Sequence, residues 1–177
     1  MRLSRLVFTG ALLIAPGWAW AQAPTAAGPT DPQIAHIVVT ANQVDIDAGK
    51  LAESKGQSKD VRAFGKQMVT DHSGVNKQAV ALAKKLKVTP EDNPTSQSLK
   101  KGGEDNLANL KGLRGAAFDK AYIDHEVAYH EQVLDAVDKV LIPNTKNEEL
   151  KALIVKVRPA FVAHLDHAKV IQTKLAK

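Results

Sequence analysis

Val61, Phe64, Met68, His72, Val75, Ala79, Leu82 and Leu86 recur at intervals of three and four residues. That spacing gathers side chains on one face of an α-helix. Three other stretches repeat it. Ile34, Val38, Ala41, Val44, Asp45, Ala48, Leu51 and Ala52 form one stripe. Ile123, Val127, His130, Leu134, Val137 and Leu141 form another, and Leu150, Leu153, Val157, Phe161, His164, Ala168, Ile171 and Leu175 a fourth. Four apolar stripes with almost no two-residue alternation predict an all-α fold in which the helices bury one another.

Punctuation residues set the expected boundaries. Asp31 before Pro32 reads as an N-cap followed by proline in the first turn, so the first helix runs over 31–54 and stops ahead of Gly56. Ser58 caps the second, which continues to about residue 87, where Val88-Thr89-Pro90 ends it. Residues 91–115 are polar and rich in Pro, Asn and Gly, with one short amphipathic helix carried by Leu99, Leu107, Leu110 and Leu113. The third long helix spans 116–141, with Phe118, Tyr122, His125 and Tyr129 as a second row. The fourth starts near Asn147 and runs to the C-terminus. Pro159 inside it removes a backbone hydrogen bond and is expected to kink it. The first and last pairs are thus antiparallel hairpins joined by one long crossover, the connectivity of a ferritin-like four-helix bundle.

The N-terminus reads as an address. Arg2 and Arg5, an apolar run over 6–14 and Ala19-Trp20-Ala21 form a secretory signal peptide over 1–21, cleaved near Ala21. Residues 22–30 make a flexible tether of Pro, Ala, Gly and Thr, and 31–177 the bundle domain. No cysteine stands at the cleavage site to carry a lipid anchor, and no later apolar run is long enough for a transmembrane segment. A periplasmic or secreted protein is the expectation. With 0 Cys, disulfides and thiolate metal sites are excluded. The formal charge of +5 falls to +3 without Arg2 and Arg5, and the lysines are spread over helix faces away from aromatics, so no nucleic-acid partner is expected.

Among the 6 histidines, His72, His130 and His164 occupy stripe positions on three different helices. Each lies about fourteen to seventeen residues into its helix, and at ~1.5 Å per residue their heights agree within a turn. Asp45 sits at the same height on the first helix, and Glu126 shares a face with His130 four residues on. Burying an imidazole costs free energy unless a partner meets it. Two readings follow. In one, His72, His130 and His164 ligate a metal ion with Asp45 or Glu126 as oxygen ligand, a set suited to zinc, iron, manganese or copper. In the other, the histidines bond carboxylates and tyrosines in a polar network that fixes helix register. Asp71 is expected to face solvent or a lysine, Asp47 to point away from the stripe, and His125 to pack at an interface with Tyr122 and Tyr129. His36 is expected to be exposed, and His167 is a candidate fourth nitrogen ligand. No Glu-x-x-His occurs, so a di-iron carboxylate centre is not written here. Met68 is the single methionine after residue 21, which argues against a methionine-rich copper carrier. Neither a phosphate-binding glycine loop nor a serine–histidine–acid set is legible.

Ala-Gly-Lys-Leu-Ala at 48–52, Val-Arg-Ala-Phe-Gly-Lys-Gln-Met-Val at 61–69, Asp71-His72, Ala-Ala-Phe-Asp at 116–119 with Tyr122, Val127 and His130, and Pro159 with His164-Leu165 resemble the bacterial domain of unknown function 4142 family over about residues 31–175. The resemblance implies export and a ferritin-like bundle, in the outer membrane or periplasm, and no defined activity. Where members commonly carry a glutamate, this chain has Asp45 or Asp47, which retracts the carboxylate by one methylene. The expected role is metal binding in envelope stress or metal handling. The alternative is a structural or interaction module, and a weaker third reading is a redox enzyme acting on oxygen or peroxide. Homo-oligomerisation is left open.

Overall fold

A computed structural model describes residues 28–177. The expected signal peptide over 1–21 and all but the last residues of the expected 22–30 tether lie outside the described residues. The rest is helical: α1 (Asp31–Lys55), α2 (Lys59–Leu86), α3 (Pro94–Gly112), α4 (Gly115–Ala136), a π-helical stretch (Val137–Leu141), the single turn α5 (Ile142–Asn144) and α6 (Glu148–Leu175). No helix among the described residues is long and apolar enough to cross a membrane.

The stripes pack as patches of a shared interior. α1 lies along α2, α4 along α6, α2 against α6 and α1 against α4, while α3 packs mainly on α1. Phe64, Met68, Phe118, Tyr122 and Ile123 form one end of the core with Ala168 and Ile171. Ile34, Ile37, Val137, Leu141, Leu150 and Ile154 form the other. Ser58 accepts from the Asp60 amide, and Asn147 from those of Glu149 and Leu150, so both expected caps are in place.

Three local expectations change. α1 is capped one residue earlier: Thr30 stands at its N-cap, and its amide donates to Gln33 Oε1. Asp31 instead accepts the amides of Lys146 and Asn147, across the molecule. The helix in the crossover is 19 residues long, not short, because Asn93 and Ser96 cap it reciprocally from Pro94 onward. The third long helix leaves α-geometry at Val137, where the Ile142 amide reaches back to Val137 O. Pro143 supplies the reason: its ring crowds the carbonyl four residues earlier, and a wider turn relieves the crowding. α6 runs through Pro159 unbroken. The hydrogen bond lost there falls between exposed Val155 and Pro159, where water solvates the carbonyl.

Candidate metal centre

α2, α4 and α6 each bring one histidine to the middle of the interior. His72, His130 and His164 are 2 %, 1 % and 1 % exposed. Their ring centroids are 5.7 Å (His72–His130), 5.2 Å (His72–His164) and 5.6 Å (His130–His164) apart, a nearly equilateral triangle. One nitrogen from each lies within 4.8 Å of the other two. Phe161, one turn before His164, stacks on His72 at 5.1 Å and closes one side.

Each ring is held by one nitrogen. His72 Nδ1 meets Asn42 Oδ1 at 2.7 Å, and the amide orientation of Asn42 is set because its Nδ2 donates to Val38 O at 2.7 Å. Asn42 therefore presents an acceptor, and His72 carries its proton on Nδ1. His130 Nδ1 donates to the Glu126 carbonyl at 3.0 Å. His164 Nε2 donates to Asp71 Oδ2 at 2.9 Å. The opposite nitrogens, His72 Nε2, His130 Nε2 and His164 Nδ1, are buried without a protein partner. Those three carry the lone pairs.

Burial holds all three rings neutral. It pushes His72 well below its ordinary value, with His130 and His164 adding to the effect. His130 drops to about 4, again mainly through burial. His164 is lowered by burial against the opposing pull of Asp71. Neutral imidazole is the form that binds metal.

Two carboxyls lie behind this triangle. Asp45 Oδ2 is 3.5 Å from His72 Nδ1, and Glu126 Oε2 is 3.6 Å from His130 Nδ1. Both approach the proton-bearing edges of the rings. Asp45, Glu126 and His130 form a second group whose candidate ligand atoms lie within 4.8 Å of one another. Burial pushes both carboxyls well above the usual carboxylate range, and Asp45 beside Glu126 pushes the latter further up. The pair therefore retains a proton where free carboxylates have lost theirs. Tyr122 and Tyr129 flank it, and both phenols are raised by burial.

All five candidate ligand residues thus come together, as two overlapping groups sharing His130. The other titratable side chains divide. Asp71 was expected to face solvent or a lysine; it is half-exposed, but α2 turns it onto His164. His167 is exposed and packs on Phe64 with Gln67 near its Nδ1, since one turn past His164 falls on the outer side of α6. His36 is half-buried beside Asp92, not exposed. His125 stacks on Tyr129 at 5.5 Å. Sequence reasoning missed Asn42. It lies one turn from Val38 and Asp45 on the same face, and a buried amide three residues before a buried acid was the available signal.

A family model described as a domain of unknown function (DUF4142) matches residues 19–171. No curated protein and no solved structure matches the chain.

Proposed function

The chain belongs to the DUF4142 family, and we propose that it is an exported, ferritin-like four-helix-bundle protein that holds a divalent transition-metal ion between His72, His130 and His164, in metal handling or envelope stress. Residues 31–177 form the bundle domain in this reading, and the periplasm is its compartment. The observation that carries it is the division of labour on each ring: one nitrogen fixed by Asn42, the Glu126 carbonyl or Asp71, the other buried and unpaired. Metal-bound histidines are oriented in this way by a bond on the second nitrogen. Ligand bonds of ~2.0–2.1 Å place three nitrogens about 3.4 Å apart, and one nitrogen from each ring already lies within 4.8 Å of the other two. Asp45 and Glu126 act from the far edges of His72 and His130, setting the electrostatics of the ligands, or as oxygen donors to an ion that sits toward the carboxyl pair.

One observation favours the alternative of a register-fixing network: every one of the three histidines already has a protein partner. It leaves three buried lone pairs without a protein partner, at about 1–3 kcal/mol for each unsatisfied group. A single water has two protons to give them. A metal ion satisfies all three.

The test is metal content. The chain from Gln22, exported to the periplasm and purified without tag or chelator, is assayed by elemental mass spectrometry beside His72→Ala/His130→Ala. About one ion per chain in the wild type, lost in a variant that remains helical, is expected. A wild type that arrives empty and takes up none of zinc, iron, manganese or copper overturns the proposal and leaves the network.

A further inference from the structure

Beside His72, on the side of its Asn42 and Asp45 neighbours, the interior is not filled. A cavity of about 280 Å³ lies between α1, the end of α4 with its π-helical stretch, and α6. Ile37, Val38, Val133, Val137, Leu141 and Ile154 are among the apolar side chains of its wall. An engineered apolar cavity of about 150 Å³ takes up benzene, so this one has room for roughly ten to fifteen non-hydrogen atoms. Among the described residues, its wall contains neither lysine nor arginine. Four buried residues of the lining carry polar groups, Asn42, Asp45, His72 and Tyr129, and mark its inner end, while exposed Thr95, Gln132 and Val140 mark its outer lip. The π-helical stretch widens the helix where Val137, Val140 and Leu141 line the wall, and such insertions recur at functional sites. The histidine triangle is not the same place: His130 and His164 do not line the cavity.

We propose that this cavity is a binding site for a neutral, mostly apolar small molecule of bicyclic-aromatic size, which enters between α3 and the π-helical stretch and places one hydroxyl or carbonyl against Asn42 and its neighbours. The apolar wall excludes water and supplies the affinity. Neutrality follows from the inner end, which offers no cation to pair a charged ligand. The site does not depend on a metal.

The experiment is calorimetric titration of the chelator-treated chain from Gln22 with 2-naphthol, and with 2-naphthoate as its anionic counterpart. Expected is one-to-one binding of 2-naphthol, at least about tenfold tighter than 2-naphthoate. Ala41→Phe and Ala136→Phe fill the cavity from opposite walls and are expected to weaken binding at least about tenfold with melting temperature unchanged or raised. Should both variants unfold, methyl NMR of the wild type decides: shifts on adding 2-naphthol must centre on Val137, Leu141 and Ile154. No binding to the wild type, equal binding to folded filled variants, equal or tighter binding of the anion, or methyl shifts centred elsewhere would each overturn the proposal. Chelator treatment keeps this outcome separate from that of the metal assay.

Discussion

Asp71 and Asn42 show how much of a buried site is decided by residues that do not face its centre. Each holds one ring nitrogen and so aims the other. On the metal reading, Asp71→Asn and Asn42→Leu should each lower zinc affinity about 10–100-fold without touching a ligand, measured by competition with a chelating dye. The same burial makes a pH prediction. Folded His130 sits at about 4 against an ordinary 6.5. Between those values the unfolded chain takes the proton and the fold excludes it. Its contribution is therefore fully present above pH 6.5 and disappears as pH falls toward 4, by roughly 3 kcal/mol at most; His72 and His164 shift in the same direction. Asp45 and Glu126 act with the opposite sign, because the fold keeps their protons: their contribution is present at low pH and lost as pH rises through their raised values. In urea titrations of metal-free protein, His130→Gln should flatten the acid limb and Glu126→Gln the limb along which stability falls with rising pH. Unchanged limbs would place the titrating groups elsewhere.

Between elements, contacts closer than the stripes require hold the helices in register. A Cβ on Gly65 would come 2.7 Å from Gly49 O and 2.8 Å from Ala52 Cβ. α1 and α2 therefore cross backbone to backbone at this pair. Gly65→Ala should destabilise by about 1–3 kcal/mol through overpacking. Gly74→Ala, in the same helix with nothing within 4 Å of its Cβ position, should stabilise by about 0.5–1 kcal/mol through helix propensity. Chemical denaturation of the two variants checks the contrast, and equal signs would refute the close crossing. The hairpins also fasten each other. Asp119 of α4 accepts the Gln57 and Ser58 amides in the α1–α2 turn, while Asp31 of α1 accepts the Lys146 and Asn147 amides before α6. Asp119 is 2 % exposed, and Asp119→Ala leaves two amides without acceptors.

For the whole molecule, a site built from three helices ties ligand binding to global stability. An ion that binds the fold alone, present at a hundred times its dissociation constant, adds about 2.7 kcal/mol. For a chain of this size that is about 5–10 °C in melting temperature. Zinc should produce this shift in scanning calorimetry of the wild type and not in His164→Ala. An equal shift in both would assign the ion to the surface.

The helices were legible because burial along a helix imposes a period of 3.6 residues that any reader of the chain can find. Caps such as Ser58 and Asn147 were legible for the same local reason. So was the common height of His72, His130 and His164, since a residue count along a straight helix is a distance. Which way each ring turns was not legible. Asn42, Asp71 and the Glu126 carbonyl select the nitrogen that faces inward, and two of these three come from a different helix than the histidine they hold. The cavity beside the widened turn also depended on packing. A cavity is the space left between several helices, and no one segment of sequence encodes it. The sequence by itself determined an all-helical chain with polar groups at one level of its interior. Tertiary structure decided that they converge, because distance across a bundle is set by how helices pack and not by how far apart their residues lie along the chain.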